Sequence, residues 1–384
     1  MKKLALFLVL GAVCLLSALG IVMLASTSYF SDEFGGETYR ALHQQAVWLG
    51  LSFVICVAGA CVDFNTWYRW RWILFGLTIV ALLLCYVPFF ADTVKGARRW
   101  LSLRNFGLSI VHVQPSEFAK IVCAIVMAGW FTRYEPHTRE FTWGFIIPCG
   151  VLGSLVGLIA GEVDLGSAAL VALLGGACMF VAGVRWRYLA PVVLFASAAL
   201  AAVIKFIPNR VERILAFMNL EKYRQSFGLQ QWRAELSFGS GGLEGMGLGN
   251  GRQKLFMPEA HTDFVFPTIG EELGFWGSGM VVLLFICLTL GGMWISAHAP
   301  NRFGRLLGFG ITLMLAMEAL LNMGVTTALL PNKGLALPFV SYGGSSLLAA
   351  MLGVGILINI HRQSDYSPNL DLLRLRRRRM ESVS

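Results

Sequence analysis

The chain has 384 residues and a formal net charge of +9; 56% of residues are hydrophobic and only 14% are charged, against about a quarter charged in soluble domains. With a mean hydropathy of +0.66, so little charge cannot cover a water-soluble surface, which excludes a soluble enzyme and leaves no room for a sizeable soluble domain. The eight cysteines lie scattered in apolar runs without a CxxC pair, which argues for small packing residues and against a disulfide framework or a zinc site.

A membrane span needs about 20 apolar residues. Ten candidate runs meet that length within a few residues: 4–25, 46–62, 72–90, 116–132, 143–161, 165–184, 188–207, 270–294, 306–329 and 344–361. The pattern predicts an all-α polytopic membrane protein of about ten transmembrane helices over residues 1–362. A large extracytoplasmic loop, about 208–269, separates helices 7 and 8, and a basic tail covers 363–384. The first run follows Lys2 and Lys3 and is too long for a signal peptide's apolar core, so it reads as the first span. An even number of spans puts both ends on one side. Lys2, Lys3 and the run Arg374, Arg376, Arg377, Arg378, Arg379 place that side in the cytoplasm, as do Arg69, Arg71, Arg133, Arg139, Arg185, Arg187, Arg302 and Arg305 in the short loops. The Arg run reads as a contact with lipid headgroups rather than with nucleic acid.

The other side should be poor in cations, yet the loop after span 3 carries Lys95, Arg98, Arg99 and Arg104. Two readings stand: a phosphate or pyrophosphate site, or contact with anionic headgroups. Residues 209–236 alternate charge and apolar side chains at helical spacing and predict an amphipathic helix lying on the membrane. The following GSGGLEGMGLGNG lacks the GK[ST] of a phosphate-binding loop and neither follows a strand nor opens a helix.

Polar groups near or within spans are costly and become functional candidates. Asp263, beside His261 and Glu259, suits a general base at a cavity mouth; a cap for span 8 or a partner for Arg252 is the plainer reading. Glu117 and Lys120 open span 4 at i, i+3 and can pair. Glu162 and Asp164, in GEVDLGS, read as a polar turn with Asp164 capping span 6. Residues 330–347, LPNKGLALPFVSYGGSSL, suggest broken helix or a re-entrant loop, tolerated only in protein or against a cavity. Glu318 inside span 9 reads as a hydrogen bond to a neighbouring helix.

KGARRW (95–100), QPSEFAK (114–120), PEAHTDFVFPTIGEELG (258–274) and LPNKGLALPFVSYGGSSL (330–347) together resemble the SEDS proteins, the FtsW, RodA and SpoVE group, over nearly the whole chain. NKG before LALPFVSYGGSS is closer to the division branch. One departure is Val163, where the family pattern has Pro. The resemblance implies a peptidoglycan glycosyltransferase that polymerises lipid II at the outer face of the bacterial inner membrane, at the division septum. It implies Asp263 as the essential acid, Glu117 and Lys120 lining the central cavity, and Lys95, Arg98 and Arg99 near the substrate path; Arg252, His261, Lys333, Ser341 and Ser345 are further candidate substrate contacts. Mg²⁺ or Mn²⁺ is the candidate cofactor, with no organic cofactor. The implied partners are lipid II, undecaprenyl-pyrophosphate-linked glycan, a class B penicillin-binding protein, other divisome proteins and the membrane, without nucleic acid.

Overall fold

The computed structural model describes residues 2–28, 38–94, 97–103, 108–192, 194 and 208–381. In chain order its helices are α1 (Lys2–Ser28), α2 (Thr38–Cys61), α3 (Phe64–Leu84), α4 (Pro115–Arg133), α5 (Ile147–Gly161), α6 (Leu165–Ala182), α7 (Pro208–Met218), α8 (Leu229–Gly241), α9 (Val265–Ala297), α10 (Arg302–Thr326) and α11 (Gly344–Glu381). Eight of them are long and apolar enough to cross a membrane, α5 together with the π-helical turn Thr142–Ile146 that leads into it: all but α4, α7 and α8. α4 holds Glu117, Lys120 and Arg133 and is too polar to face lipid. It instead sits at the centre, buried on nearly every face against α3, α6 and α10. The expected seventh span, 188–207, lies mostly outside the described residues.

Local sequence explains the ends. α3 begins at Phe64 rather than at 72 because the Asp63 carboxylate caps it, accepting from Asn65 N at 2.8 Å. Pro115 opens α4, where its missing N–H costs nothing. Asp164 caps α6 and Asn301 caps α10. Small residues then bring helices close. Gly355 of α11 lies against the Cys56 backbone of α2, and Gly291 of α9 against the Ala5 carbonyl of α1.

Two features depart from the sequence reading. The cationic loop after α3 is a three-stranded antiparallel sheet, β1 (Ala91–Val94), β2 (Ala97–Leu103) and β3 (Leu108–Val113), with Leu101 opposite Val113. Strands this short leave no trace in a search for span-length apolar runs. The single surface helix expected over 209–236 is instead α7, a turn, and α8. α7 leaves Leu215 and Met218 exposed. α8 is docked on the bundle: Gly241 abuts the Gly270 carbonyl of α9, and buried Gln231 Nε2 donates to Val325 O at 2.8 Å and Leu330 O at 2.7 Å. A buried amide with both carbonyls satisfied fixes α8 in protein rather than on lipid.

Candidate active site

The glycine-rich stretch after α8 is held by two adjacent carboxylates of α9, Glu271 and Glu272, both at most 1% exposed. Glu272 Oε1 accepts from Lys254 Nζ at 2.7 Å and from Ser26 Oγ, on α1, at 2.6 Å; Glu272 Oε2 accepts from Gly249 N at 3.1 Å. Lys254 Nζ also donates to Gly249 O at 2.9 Å. Glu271 Oε1 accepts from the backbone N–H of Arg252 and Gln253 at 2.8 and 3.1 Å. The loop lies so close to α9 that a Cβ on Gly245 would strike the Glu272 carbonyl, and Gly245 itself has φ +83°, open to glycine without strain. The stretch is therefore a clamp joining α1, α9 and the loop. Lys254 belongs to it, while the Arg252 side chain stands exposed on its outer side.

The clamp presents Glu259–Phe264 to the broken segment 330–342. Asn322 of α10 ties them, its Nδ2 donating to Asp263 O at 2.8 Å and Leu335 O at 2.6 Å. Tyr342 N donates to His261 O at 2.9 Å. Ser341 Oγ accepts from Leu337 N at 2.8 Å and donates to Thr262 O. The segment is non-helical; its second half, 337–341, is buried in protein, as irregular backbone at membrane depth requires, while Leu330, Pro331 and Gly334 are exposed. Asp263 is half-buried, and its Oδ2 occupies the place a Cβ on Gly334 would take.

Lys333, next in the chain to Gly334, extends its stem over Gly166 in the first turn of α6, where a Cβ would meet its Cε. Asp164 caps that turn, taking Ser167 N at 3.2 Å and Ser167 Oγ at 2.8 Å. Arg99 Nη1 of β2 stands 3.8 Å from Asp164, and Gln114 Nε2 3.2 Å. Ser345 Oγ accepts from Gln114 N at 3.0 Å and donates to His112 O. The hydroxyls of Ser341 and Ser345 thus both bond to the protein's own backbone. Asp263 rests on Gly334, Lys333 on the first turn of α6, and the cap of that turn, Asp164, faces Arg99 of β2. Lys95 and the Arg98 side chain lie outside the described residues.

Glu117 and Lys120 form the expected pair, Nζ to Oε1 at 2.8 Å, and Lys120 also contacts Glu318 of α10. Lys120 is 2% exposed. The single ammonium lies between two carboxylates and ties α4 to α10; Glu318 is an ion-pair partner rather than a simple hydrogen bond to the next helix. Sequence reasoning missed Glu271 and Glu272. The GEELG run in an otherwise apolar helix was the signal.

In the turn before α6, Val163 has φ +66°, a left-handed conformation that strains a β-branched residue and that Pro cannot adopt. Beside it, burial and then Asp164 push Glu162 up to about 8, against the opposing pull of the Cys85 thiol and Arg99. Its folded value lies above its unfolded one, so the folded chain holds more protons between about 4.5 and 8, and stability falls as pH rises through that window. Glu162→Gln is expected to raise the melting temperature at pH 8–9 by several degrees and to leave it unchanged near pH 4.5. Thermal unfolding in detergent across pH checks this.

Among the described residues no group of three or more His, Cys, Asp or Glu could hold a metal ion.

Comparison with known proteins accords with this geometry. The family model "Cell cycle protein", that of FtsW, RodA and SpoVE, matches residues 6–366. The protein of Trichlorobacter lovleyi named "Probable peptidoglycan glycosyltransferase FtsW" is 38% identical over 348 residues, covering 90% of each chain. The protein of that name from Geobacter metallireducens is 35% identical, covering 92% of this chain and 93% of its own. A solved structure entitled "Structural coordination of polymerization and crosslinking by a peptidoglycan synthase complex" superposes with a TM-score of 0.76 at 28% identity, over 93% of this chain and 97% of that one. The rod shape determining protein RodA of Thermus thermophilus superposes at 0.69 with 28% identity and the same coverage. With matching sequence along almost its full length and the same fold, the chain belongs to the FtsW/RodA/SpoVE family of cell cycle proteins.

Proposed function

We propose that this chain is a peptidoglycan glycosyltransferase of the inner membrane that polymerises lipid II, with Asp263 as general base. The observation that carries the reading is the half-buried Asp263 carboxylate resting on Gly334, the residue after Lys333, at the exposed edge of the non-helical segment. The acceptor is a sugar hydroxyl, the 4-OH of GlcNAc, a poor acid. Asp263 takes its proton as the oxygen attacks the anomeric carbon of the undecaprenyl-pyrophosphate-linked donor. The α-linked donor gives a β-linked product, so the reaction inverts. The bond to pyrophosphate breaks and its charge is met by fixed cations. Lys333, Arg99 and Arg252 are the described candidates, with Lys95 and Arg98 as further contributors and His261 two residues from the base. The α3–α4 surface supports a substrate with a long apolar tail: a groove of about 240 Å³ under the sheet is lined by Leu74, Leu101, Val113, Phe118, Ile121 and Ile125.

The relatives' FtsW name and the NKG before LALPFVSYGGSS support a role at the division septum. The synthase complex that the fold matches supports a class B penicillin-binding protein as partner. The cationic short loops support cytoplasmic termini and a catalytic face turned outward. The test is glycan formation from lipid II by the purified full-length protein with its partner. Lipid movement across vesicles without any glycan product would favour transport instead, a reading that the Glu117–Lys120–Glu318 charges within the bundle would then serve.

A further inference from the structure

On the face opposite the sheet, α3 carries a buried arginine whose charge nothing in the described protein balances. Arg71 is 8% exposed. Its Nη1 donates to Tyr68 O at 2.5 Å, its guanidinium carbon lies 4.2 Å from the Tyr68 ring centroid and 5.9 Å from that of Trp72, and its buried Nε has no acceptor. Gly129 of α4 makes the room: a Cβ there would meet the Arg71 stem. One turn on, Arg133 lies beside the Tyr68 and Tyr134 phenols. Among the described residues no carboxylate forms an ion pair with either arginine. The nearest acid in sequence, Glu135, is taken by Arg302.

A guanidinium out of water without a counter-charge is costly, and a missing partner is the simplest resolution. The surroundings say where that partner comes from. Trp72, Trp130, Tyr134 and Trp143 pack together beside the arginines, with ring centroids 4.4 to 6.1 Å apart. Trp72 and Trp143 are 41% and 38% exposed at the bundle's edge, and such amphipathic rings settle at the headgroup level of a bilayer. Arg71 lies two turns into α3 and its Nη1 bonds back toward the helix start, so its charge is directed to that same level. Guanidinium groups bind phosphate oxygens in a planar fork.

We propose that Arg71 and Arg133 form a binding site for the phosphate of an anionic phospholipid, drawn from the leaflet on the α2–α3 turn side of the protein. The aromatic cluster seats the glycerol and upper acyl chain, and the phosphate supplies the counter-charge that the protein lacks. The site stands apart from Asp263, on the opposite face, and its test does not depend on glycan synthesis.

The experiment is native mass spectrometry of the full-length protein released from mixed micelles of phosphatidylglycerol or phosphatidylcholine, with retained lipid counted. The wild type is expected to keep phosphatidylglycerol in clear preference to phosphatidylcholine. Arg71→Gln and Arg133→Gln should each weaken that retention about fivefold, with inorganic phosphate failing to compete at millimolar concentration. Arg133 is exposed, so its variant folds even where loss of Arg71 disturbs α3, and a melting curve confirms it. Undiminished retention by the Arg133→Gln protein, equal retention of the two lipids, or displacement by inorganic phosphate alone would each overturn the site.

Discussion

Asp263→Asn is expected to reduce lipid II polymerisation by about 10²- to 10⁴-fold, the usual worth of a general base, while the melting temperature stays within a degree or two. The amide matches the carboxylate in shape, and the main chain around it is held by groups that the substitution does not touch: Asn322 on the Asp263 carbonyl and Tyr342 N–H on the His261 carbonyl. A companion variant separates chemistry from placement. Gly334→Ala keeps the carboxylate but puts a methyl where Oδ2 now lies. Displacement of a reacting group by about 1 Å costs on the order of a hundredfold, so this variant should also be slow, at unaltered lipid II affinity. Polymer formation by Asp263→Asn within threefold of wild type would remove the base from the mechanism.

The second large effect concerns the clamp. Lys254→Met should destabilise the protein by about 3–5 kcal/mol, because it strands the Glu272 carboxylate in a site with no water. Glu272 is 0% exposed and Lys254 is 7% exposed. Adding Glu272→Gln to Lys254→Met should restore at least half of the loss, since the amide oxygen can still accept from Ser26 Oγ and no charge is left alone. Unfolding midpoints in detergent measure both proteins. Equal midpoints for the single and double variants would mean that Lys254 contributes through its stem rather than its charge.

Much of this was legible in the residues. Apolar runs located the spans because hydrocarbon demands length, and Asp263 and the 330–347 segment stood out because polarity in a greasy chain requires a reason. What could not be read is pairing across the chain. Arg252 and Lys254 look alike in sequence, two residues apart. One faces solvent and the other is sealed against Ser26 of α1, a contact no local pattern foretells. The sheet escaped notice for a different reason: β2 was read for its charges, whereas alternate residues such as Leu101 face the groove. Arg71 was counted only as a cytoplasmic charge, and its burial depends on a glycine in another helix.

α4 also has a history to account for. During synthesis it is made with Glu117 and Lys120 near its start, three residues apart so that they can pair within the helix, long before the ribosome has made Glu318. Glu318 of α10 therefore joins a pair that can already exist, and the contact fixes α10 against α4 only once α10 has been made.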